Sequence, residues 1–245
     1  MKIKKILSLV LASIMVLALA VPAFAVDDIT PNVTDITKGA NVKIAGSTEA
    51  PTIRVSVPTS AKLIANPYAL TVKKTDENGL DADSTAKVIS PTQFIQSQSN
   101  IDLYVSGTIT GTPSTEVKLL SADKADDDAW TAASKSKEMF LYFVMKENTT
   151  VGTKISDTTA YSADDASQMI VQAKATPIPA AMAAQAKLGK ATITDGTADK
   201  TTEVAFRLMG KLTSNLATGT WTDKDKVDVA IAFTFLPTAP AVPTT

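Results

Sequence analysis

Apolar and polar residues alternate along several short stretches of this chain, which is the period of a β-strand. The clearest stretch is VDVAIAFTF at residues 227–235, in which every second residue is a large apolar one. A second stretch, IDLYVS at residues 101–106, places Ile101, Leu103 and Val105 on one face. Both patterns predict half-buried antiparallel strands.

Other apolar stretches predict the remaining strands. Gly107 and the turn Gly111-Thr112-Pro113 are expected to delimit one of them, and the polar loop at residues 75–85 is expected to join two others. Prolines 51, 58, 67, 91 and 113 mark corners, since proline belongs at strand ends, edges or bulges. The predicted segments are 42–44, 52–57, 69–73, 94–95, 108–110, 116–120, 139–145, 168–174, 190–194 and 204–209.

Two segments have helical features instead. Residues 178–188, IPAAMAAQAKL, have Pro179 near the start and Gly189 just past the end, which is the usual placement of these residues at helix termini. Residues 162–170 are a second candidate, because Ser162 could cap a helix whose first turn contains Asp164 and Asp165.

Helices do not separate the strands, so the pattern does not fit alternating βαβ units. It predicts a mainly β protein, an antiparallel β-sandwich of about ten strands with one or two short helices. The sandwich is expected at residues 45–236 and a proline-rich, extended tail at 237–245. Division into two lobes near residues 121–137 is left open.

The N-terminus predicts export. Lys2, Lys4 and Lys5 precede an apolar run, and Ala23-Phe24-Ala25 provides the small residues that a signal peptidase reads. Residues 1–25 therefore read as a signal peptide, with a retained membrane anchor as the alternative. Residues 26–44 are polar and are expected to form a flexible arm. The mature protein is predicted to be secreted, extracellular or in the cell wall, with no membrane segment after signal removal.

The amino-acid composition excludes several kinds of catalytic and metal site. The chain has no cysteine and no histidine, which excludes a Ser-His-Asp triad, a Cys-His pair and zinc ligation by thiolate or imidazole. Its formal charge is −1, and the leader contributes three of its lysines. The mature chain is thus weakly acidic, and no nucleic-acid partner is expected.

Candidate site residues are few. Tyr68, Tyr104, Trp130 and Trp221 are the aromatic residues that could form a binding patch, although the tryptophans are interpreted as core or strand-edge plugs. Three acidic clusters could offer oxygen ligands to calcium, but none fits an EF-hand, and we interpret them as charged turns. We predict no catalytic, cofactor-binding or metal-binding residue. The clusters are Asp76, Glu77, Asp81 and Asp83; Asp123, Asp126, Asp127 and Asp128; and Asp223, Asp225 and Asp228.

Several segments resemble secreted surface proteins of Gram-positive, clostridia-type bacteria, including cell-wall WxL-type and camelysin or biofilm-matrix-fibre proteins. They are VPTS at 57–60, NPY at 66–68, SPTQFIQSQSNIDLYVSG at 90–107 and TWTDKDKVDVAIAFTF at 220–235. The chain departs from the WxL pattern, because neither Trp130 nor Trp221 is followed by the leucine. The sequence LPTAP at 236–240 is also not a sortase signal.

Two functions follow as expectations. The first is a non-catalytic structural or matrix protein of the cell exterior that self-associates by strand addition, with the arm of one copy along an edge strand of another. The second is an adhesin or a carbohydrate- or small-ligand-binding module of the cell wall. The expected partners are further copies of the chain or a cell-wall component.

Overall fold

A computed structural model describes residues 53–68, 70–76, 79–124, 126–191, 193–194, 197–198, 202–217 and 219–242. These residues belong to one compact unit. The predicted signal peptide, the predicted arm and the predicted strand at residues 42–44 lie outside them.

The described part of the chain contains fourteen strands and two short helices, and the predicted mainly β fold is confirmed. In chain order the elements are β1 (Val55–Ser56), β2 (Ile64–Ala65), β3 (Val88–Ile89), β4 (Gln93–Ser97), β5 (Leu103–Pro113), β6 (Val117–Leu119), α1 (Asp128–Thr131), β7 (Lys137–Asn148), β8 (Gln168–Ile170), β9 (Thr176–Pro177), α2 (Ala180–Gln185), β10 (Lys187–Leu188), β11 (Ile193–Thr194), β12 (Thr197–Ala198), β13 (Thr202–Leu212) and β14 (Val227–Leu236).

The larger sheet has eight strands around the long antiparallel pair β7 and β13, which are in register from Glu203↔Asn148 to Leu212↔Met139. On its other side β13 pairs with β4 and β3, which in turn pair with β1 and β2. The outer neighbours of β7 are β6 and β8. Among the described strands, β6 and β7 form the one parallel pair.

The smaller sheet has four strands. Its centre is β5, which pairs with β14 on one side and with β9 and β10 on the other. Strands β11 and β12 form a separate hairpin.

The two sheets enclose the main hydrophobic core. Leu103, Val105 and Ile109 of β5 belong to the same buried cluster as residues of β7 and β13. The aromatic rings of Phe206 on β13 and Phe233 on β14 lie 5.2 Å apart, so the inner faces of the sheets are in contact. This arrangement of two packed antiparallel layers is a β-sandwich.

The outer face of the larger sheet is also covered. Phe140, Tyr142 and Val144 of β7 form a second buried cluster with Trp130 of α1 and with Ile155 of a loop, and both of these cover this face. Strand β7 is therefore buried on both sides. This explains why its sequence, MFLYFVM, is uniformly apolar and does not alternate.

Three local predictions differ from the structure. Strand β5 is continuous through Gly107 and Gly111 to Pro113, so the predicted break at these residues is wrong. Residues 162–167 form turns, not a helix, because the Asp165 carboxylate accepts hydrogen bonds from the Ser167 backbone and hydroxyl and from Gln168. The predicted strand at residues 69–73 is reduced to one bridge, Val72↔Ser84.

The helix predicted at residues 178–188 is confirmed in a shorter form as α2, which begins directly after Pro179. It ends at Gln185 and not at the predicted Gly189, because Ala186 leaves the helical region and the chain continues into β10. The other helix, α1, lies within residues 121–137, where no element was predicted.

Candidate functional site

The most distinctive surface of the described residues is the free edge of β14. All ten residues of this strand pair with β5, and no described residue pairs with its opposite side. The other edge strands, which are β1, β2, β6, β8, β9 and β10, have only two or three residues each. Strand β14 is thus the one long unpaired edge in the described part of the fold.

The hydrogen-bond pattern shows which backbone groups point outward. The Ser114 amide donates to the Lys226 carbonyl oxygen at 2.8 Å, so residues 226 and 114 form a hydrogen-bonded pair. Such pairs alternate along an antiparallel ladder. The amides of Val105 and Gly111 on β5 accordingly donate to Ala186 and Gln172 on the other side of β5. It follows that the odd-numbered residues of β14 direct their N–H and C=O groups away from β5.

The same odd-numbered residues carry the apolar side chains of β14. Val229, Ile231, Phe233 and Phe235 pack against the main core but are only partly buried, and we call these four residues the β14 seam. Their neighbours Leu103, Val105 and Ile109 on β5 are 0% exposed. The difference arises because β5 has strands on both sides, whereas β14 has one.

Little on this edge discourages another strand. Residues 229–236, VAIAFTFL, contain no charged residue and no proline, the two residue types that commonly keep edge strands from pairing. The charged residues lie at the start of the strand, where Lys226 Nζ and an Asp228 carboxylate oxygen are 2.9 Å apart. This exposed ion pair contributes little to stability.

The four aromatic candidates occupy different environments. Trp130 is 4% exposed, and its indole N–H donates to Asp123 at 2.9 Å, so its interpretation as a core plug is confirmed. Tyr104 lies half-buried within β5. Tyr68 and Trp221 come together as lining residues of one open groove of about 450 Å³, which also contacts Val227 at the start of β14.

The acidic clusters mostly form ion pairs and hydrogen bonds within the fold. Asp81 binds Lys154, Asp123 and Asp127 both bind Lys211, and Asp225 binds Lys137. Among the residues that the structure describes, no group of three or more acidic side chains is arranged to hold a metal ion. Asp83 pairs with Lys73, Asp126 accepts the Ala129 amide, and Asp228 pairs with Lys226.

Two buried charged residues escaped the sequence analysis. Arg207 on β13 donates to the carbonyl oxygens of Ser90 and Ile155 and lies 3.9 Å from Asp81. Glu203, also on β13, accepts hydrogen bonds from the Asn148 side chain and the Gly152 amide. Both join loops to the sheet. The sequence signal for both residues was a single charge inside an otherwise apolar strand. Only the packed structure shows which groups each charge binds.

Two carboxyl groups with lowered pKa values, Asp81 and Asp225, predict that the fold is sensitive to acid. Burial raises the pKa of Asp81 and Asp225, but hydrogen bonds from Lys154 and Thr92, and from Lys137 and Thr222, outweigh it and lower both values below 3.8. A pKa that is lower in the folded state stabilises the fold above the unfolded value, and this stabilisation disappears as pH falls through the folded value. We expect the melting temperature to decrease as the pH falls below about 4.

A matched variant isolates this effect. Asp225→Asn cannot lose a charge in acid, so its melting temperature should fall less over the same interval than that of the unmodified chain. Equal slopes for the two proteins would contradict this role for Asp225.

Comparison with known proteins identifies no relative of this chain. No protein-family model matches the chain, and no curated protein or solved structure is similar to it. Within the described ranges, no helix combines the length and the apolar character needed to cross a membrane.

Proposed function

We propose that this protein is a secreted, non-catalytic structural component of the cell surface or extracellular matrix that self-associates by strand addition at β14. The observation that carries the proposal is the free ten-residue edge of β14 with its outward-facing backbone groups. A strand bound there would extend the smaller sheet and cover the β14 seam. Backbone hydrogen bonds would supply affinity. A partner strand with alternating apolar residues would gain further stability by packing its apolar side chains against the β14 seam.

The proposed occupant is the arm of a second copy, residues 26–44. These 19 residues could extend over about 60 Å, whereas the edge of β14 requires about 33 Å. The arm contains the alternating segment Asn41-Val42-Lys43-Ile44, which has strand character. Arm and edge are therefore compatible in length and pattern. The predicted signal peptide, the absence of histidine and cysteine, and the resemblance to Gram-positive surface proteins support the exported, non-catalytic part of the proposal.

Size-exclusion chromatography with light scattering tests the assembly. The chain of residues 26–236 should form larger species as its concentration rises, and the chain of residues 45–236 should remain monomeric. A peptide of residues 26–44 should bind the shortened chain. In a mixture with the longer chain, the peptide should also keep the shortened chain out of assemblies. A strictly monomeric chain from Val26, at all concentrations, would refute self-association.

A proline substitution can probe the edge itself. The amide of Val229 points away from β5, so Val229→Pro removes an outward donor and leaves the β5–β14 ladder intact. Val229→Ala is the matched control, because it shortens the same side chain and keeps the amide. We expect Val229→Pro to assemble at least about tenfold less readily than Val229→Ala, which corresponds to about 1.4 kcal/mol. Equal assembly by two folded variants would exclude β14 as the docking edge.

A second candidate function is an adhesin or a carbohydrate- or small-ligand-binding module of the cell wall. One observation favours it, since Tyr68 and Trp221 line the same groove. Titration of the protein with soluble cell-wall glycan fragments, followed by tryptophan fluorescence, tests this function. An unchanged spectrum at millimolar fragment would count against it.

A further inference from the structure

Hydrogen bonds anchor the segments that carry Tyr68 and Trp221, which line one groove. The Asn66 side chain donates to the carbonyl oxygens of Leu70 and Ala86 and accepts the Leu70 amide at 3.1 Å, which fixes the turn that presents Tyr68. Trp221 also lines the groove, and its indole N–H donates to the Thr213 carbonyl oxygen at 2.7 Å. Tyr68 is nevertheless 59% exposed. An exposed aromatic ring next to backbone that hydrogen bonds hold in place is suited to stacking against a ligand.

Most polar groups of the groove already have partners. Asp225 accepts hydrogen bonds from Lys137 and Thr222, and Lys226 is paired with Asp228. The Asn66 amide and the Trp221 indole are also occupied. Within the described residues, the Tyr68 hydroxyl and the Asp223 carboxylate are the lining side chains that make no hydrogen bond. A sugar presents many hydroxyl groups that need partners, so a ligand with apolar rings and few donors fits the groove better.

Such a ligand is present in the chain itself. The segment LPTAPAVPTT, residues 236–245, has prolines at 237, 240 and 243. A spacing of three residues places all three rings on one face of a polyproline II helix, which has three residues per turn. Proline has no N–H to satisfy, and proline-rich segments of this spacing dock into aromatic-lined grooves in known recognition modules. Residues 237–242 are largely exposed in the structure, and none of them lines the groove.

We propose that the proline-rich tail of one copy binds the Tyr68–Trp221 groove of another copy. The rings of Pro237 and Pro240 stack on the two aromatic side chains, and the Tyr68 hydroxyl donates to a carbonyl oxygen of the tail. The groove adjoins Val227 at the first residue of β14, whereas the tail leaves from Leu236 at its last residue. Ten strand residues separate these points by about 30 Å.

The contact is therefore head to tail. Because groove and tail are different surfaces at opposite ends of β14, each copy can bind one neighbour with its groove and another with its tail. Contacts of this heterologous kind form open filaments unless their rotation closes a ring. The inference deepens the proposed self-association and depends on it for its biological meaning, but the binding step can be measured separately.

The test uses a fluorescently labelled peptide of residues 236–245. It is titrated with the chain that begins at Val26 and, in parallel, with the chain that begins at Ala45. Both should bind the peptide in the same concentration range. A peptide with alanine at positions 237, 240 and 243 should bind at least about tenfold more weakly, which is about 1.4 kcal/mol.

Variants of one turn provide the matched control. Tyr68→Ala should weaken peptide binding at least about tenfold, whereas Leu70→Ala, which alters an exposed residue two positions away and outside the groove, should leave it unchanged. Both side chains are exposed, so melting curves should show that both variants are folded. Shifts of the Trp221 and Asp223 amide resonances on peptide addition would place the contact in the groove.

The outcomes separate the two proposals. Peptide binding by the chain from Ala45, without assembly of the chain of residues 26–236, would support the groove contact and refute strand addition. Equal binding of the proline and alanine peptides, or no loss with Tyr68→Ala, would overturn the tail proposal. Binding of glycan fragments, with no binding of the tail peptide, would overturn it in favour of a carbohydrate site.

Discussion

Replacing Gly107 by alanine is expected to destabilise the protein by more than about 4 kcal/mol or to prevent folding. Gly107 lies inside β5 with a φ of 145°, a conformation that side-chain-bearing residues rarely adopt. A Cβ atom there would lie 2.0 Å from the Ala232 carbonyl oxygen on β14. The obstacle is backbone, so the two strands would have to separate. Chemical denaturation monitored by circular dichroism measures the effect.

The control is Gly219→Ala. Gly219 also has a positive φ, 78°, but a Cβ atom there meets nothing within 4 Å. This substitution should cost only the intrinsic strain of about 1–2 kcal/mol. Similar losses for the two variants would show that contact with β14 is not the reason for glycine at position 107. A folded Gly107→Ala protein with unchanged stability would contradict the close pairing of β5 and β14.

Replacing Arg207 by methionine is expected to cost about 2–4 kcal/mol. The guanidinium is buried beneath the loops on the outer face of the larger sheet, where it donates to the Ser90 and Ile155 carbonyl oxygens. Methionine would fill similar space but leave the Ser90 carbonyl oxygen without this donor, and the Ile155 carbonyl oxygen with only a 3.5 Å hydrogen bond from the Thr92 hydroxyl. Thermal and denaturant unfolding should both detect the loss, and the loop at residues 150–156 should exchange its amide hydrogens faster.

Lys154→Met is the comparison for Arg207. Lys154 contacts the same carboxylate, Asp81, at 2.8 Å, but its side chain is 49% exposed. Removing this surface ion pair should change the free energy of unfolding by less than about 1 kcal/mol. If Arg207→Met were equally mild, the buried hydrogen bonds would not be what holds the two loops to the sheet.

Gly107→Ala and Arg207→Met should affect the proposed assembly in different ways. Gly107→Ala disturbs the strand pair that presents the β14 edge, so assembly and stability should be lost together. Arg207 lies on the outer face of the larger sheet, away from the smaller sheet that contains β14. The Arg207→Met protein should therefore still assemble under conditions in which it is folded. This contrast separates an effect on the docking edge from a general loss of folded protein.

The strongest sequence patterns predicted their elements correctly. In β14 the strict alternation identified a half-buried strand and the side chains that face the core, because one face of that strand meets solvent. In β7 the uniform apolar run identified a strand but not its double burial. A run of this kind is compatible with more than one environment, and only the loops over the outer face show which one applies.

The wrong predictions concern segments whose local sequence is compatible with two different backbone conformations. Glycine and proline at residues 107–113 suggested turns, yet Gly107 permits a close approach to β14 and Gly111 lies against Leu119 and Val171, so β5 continues. Asp164 and Asp165 suggested a helix start, yet Asp165 binds the following backbone in a turn. These choices depend on contacts with residues distant in the sequence, which local patterns do not specify.

The sequence by itself determined the mainly β class, because strand periodicity is a local property, and it excluded histidine- and cysteine-based chemistry through composition. The tertiary structure decided which of the described strands has a long free edge and which two aromatic residues share a groove. Strand order and loop packing depend on pairings between residues far apart in the chain. For that reason the β14 edge and the Tyr68–Trp221 groove became recognisable only in the folded protein.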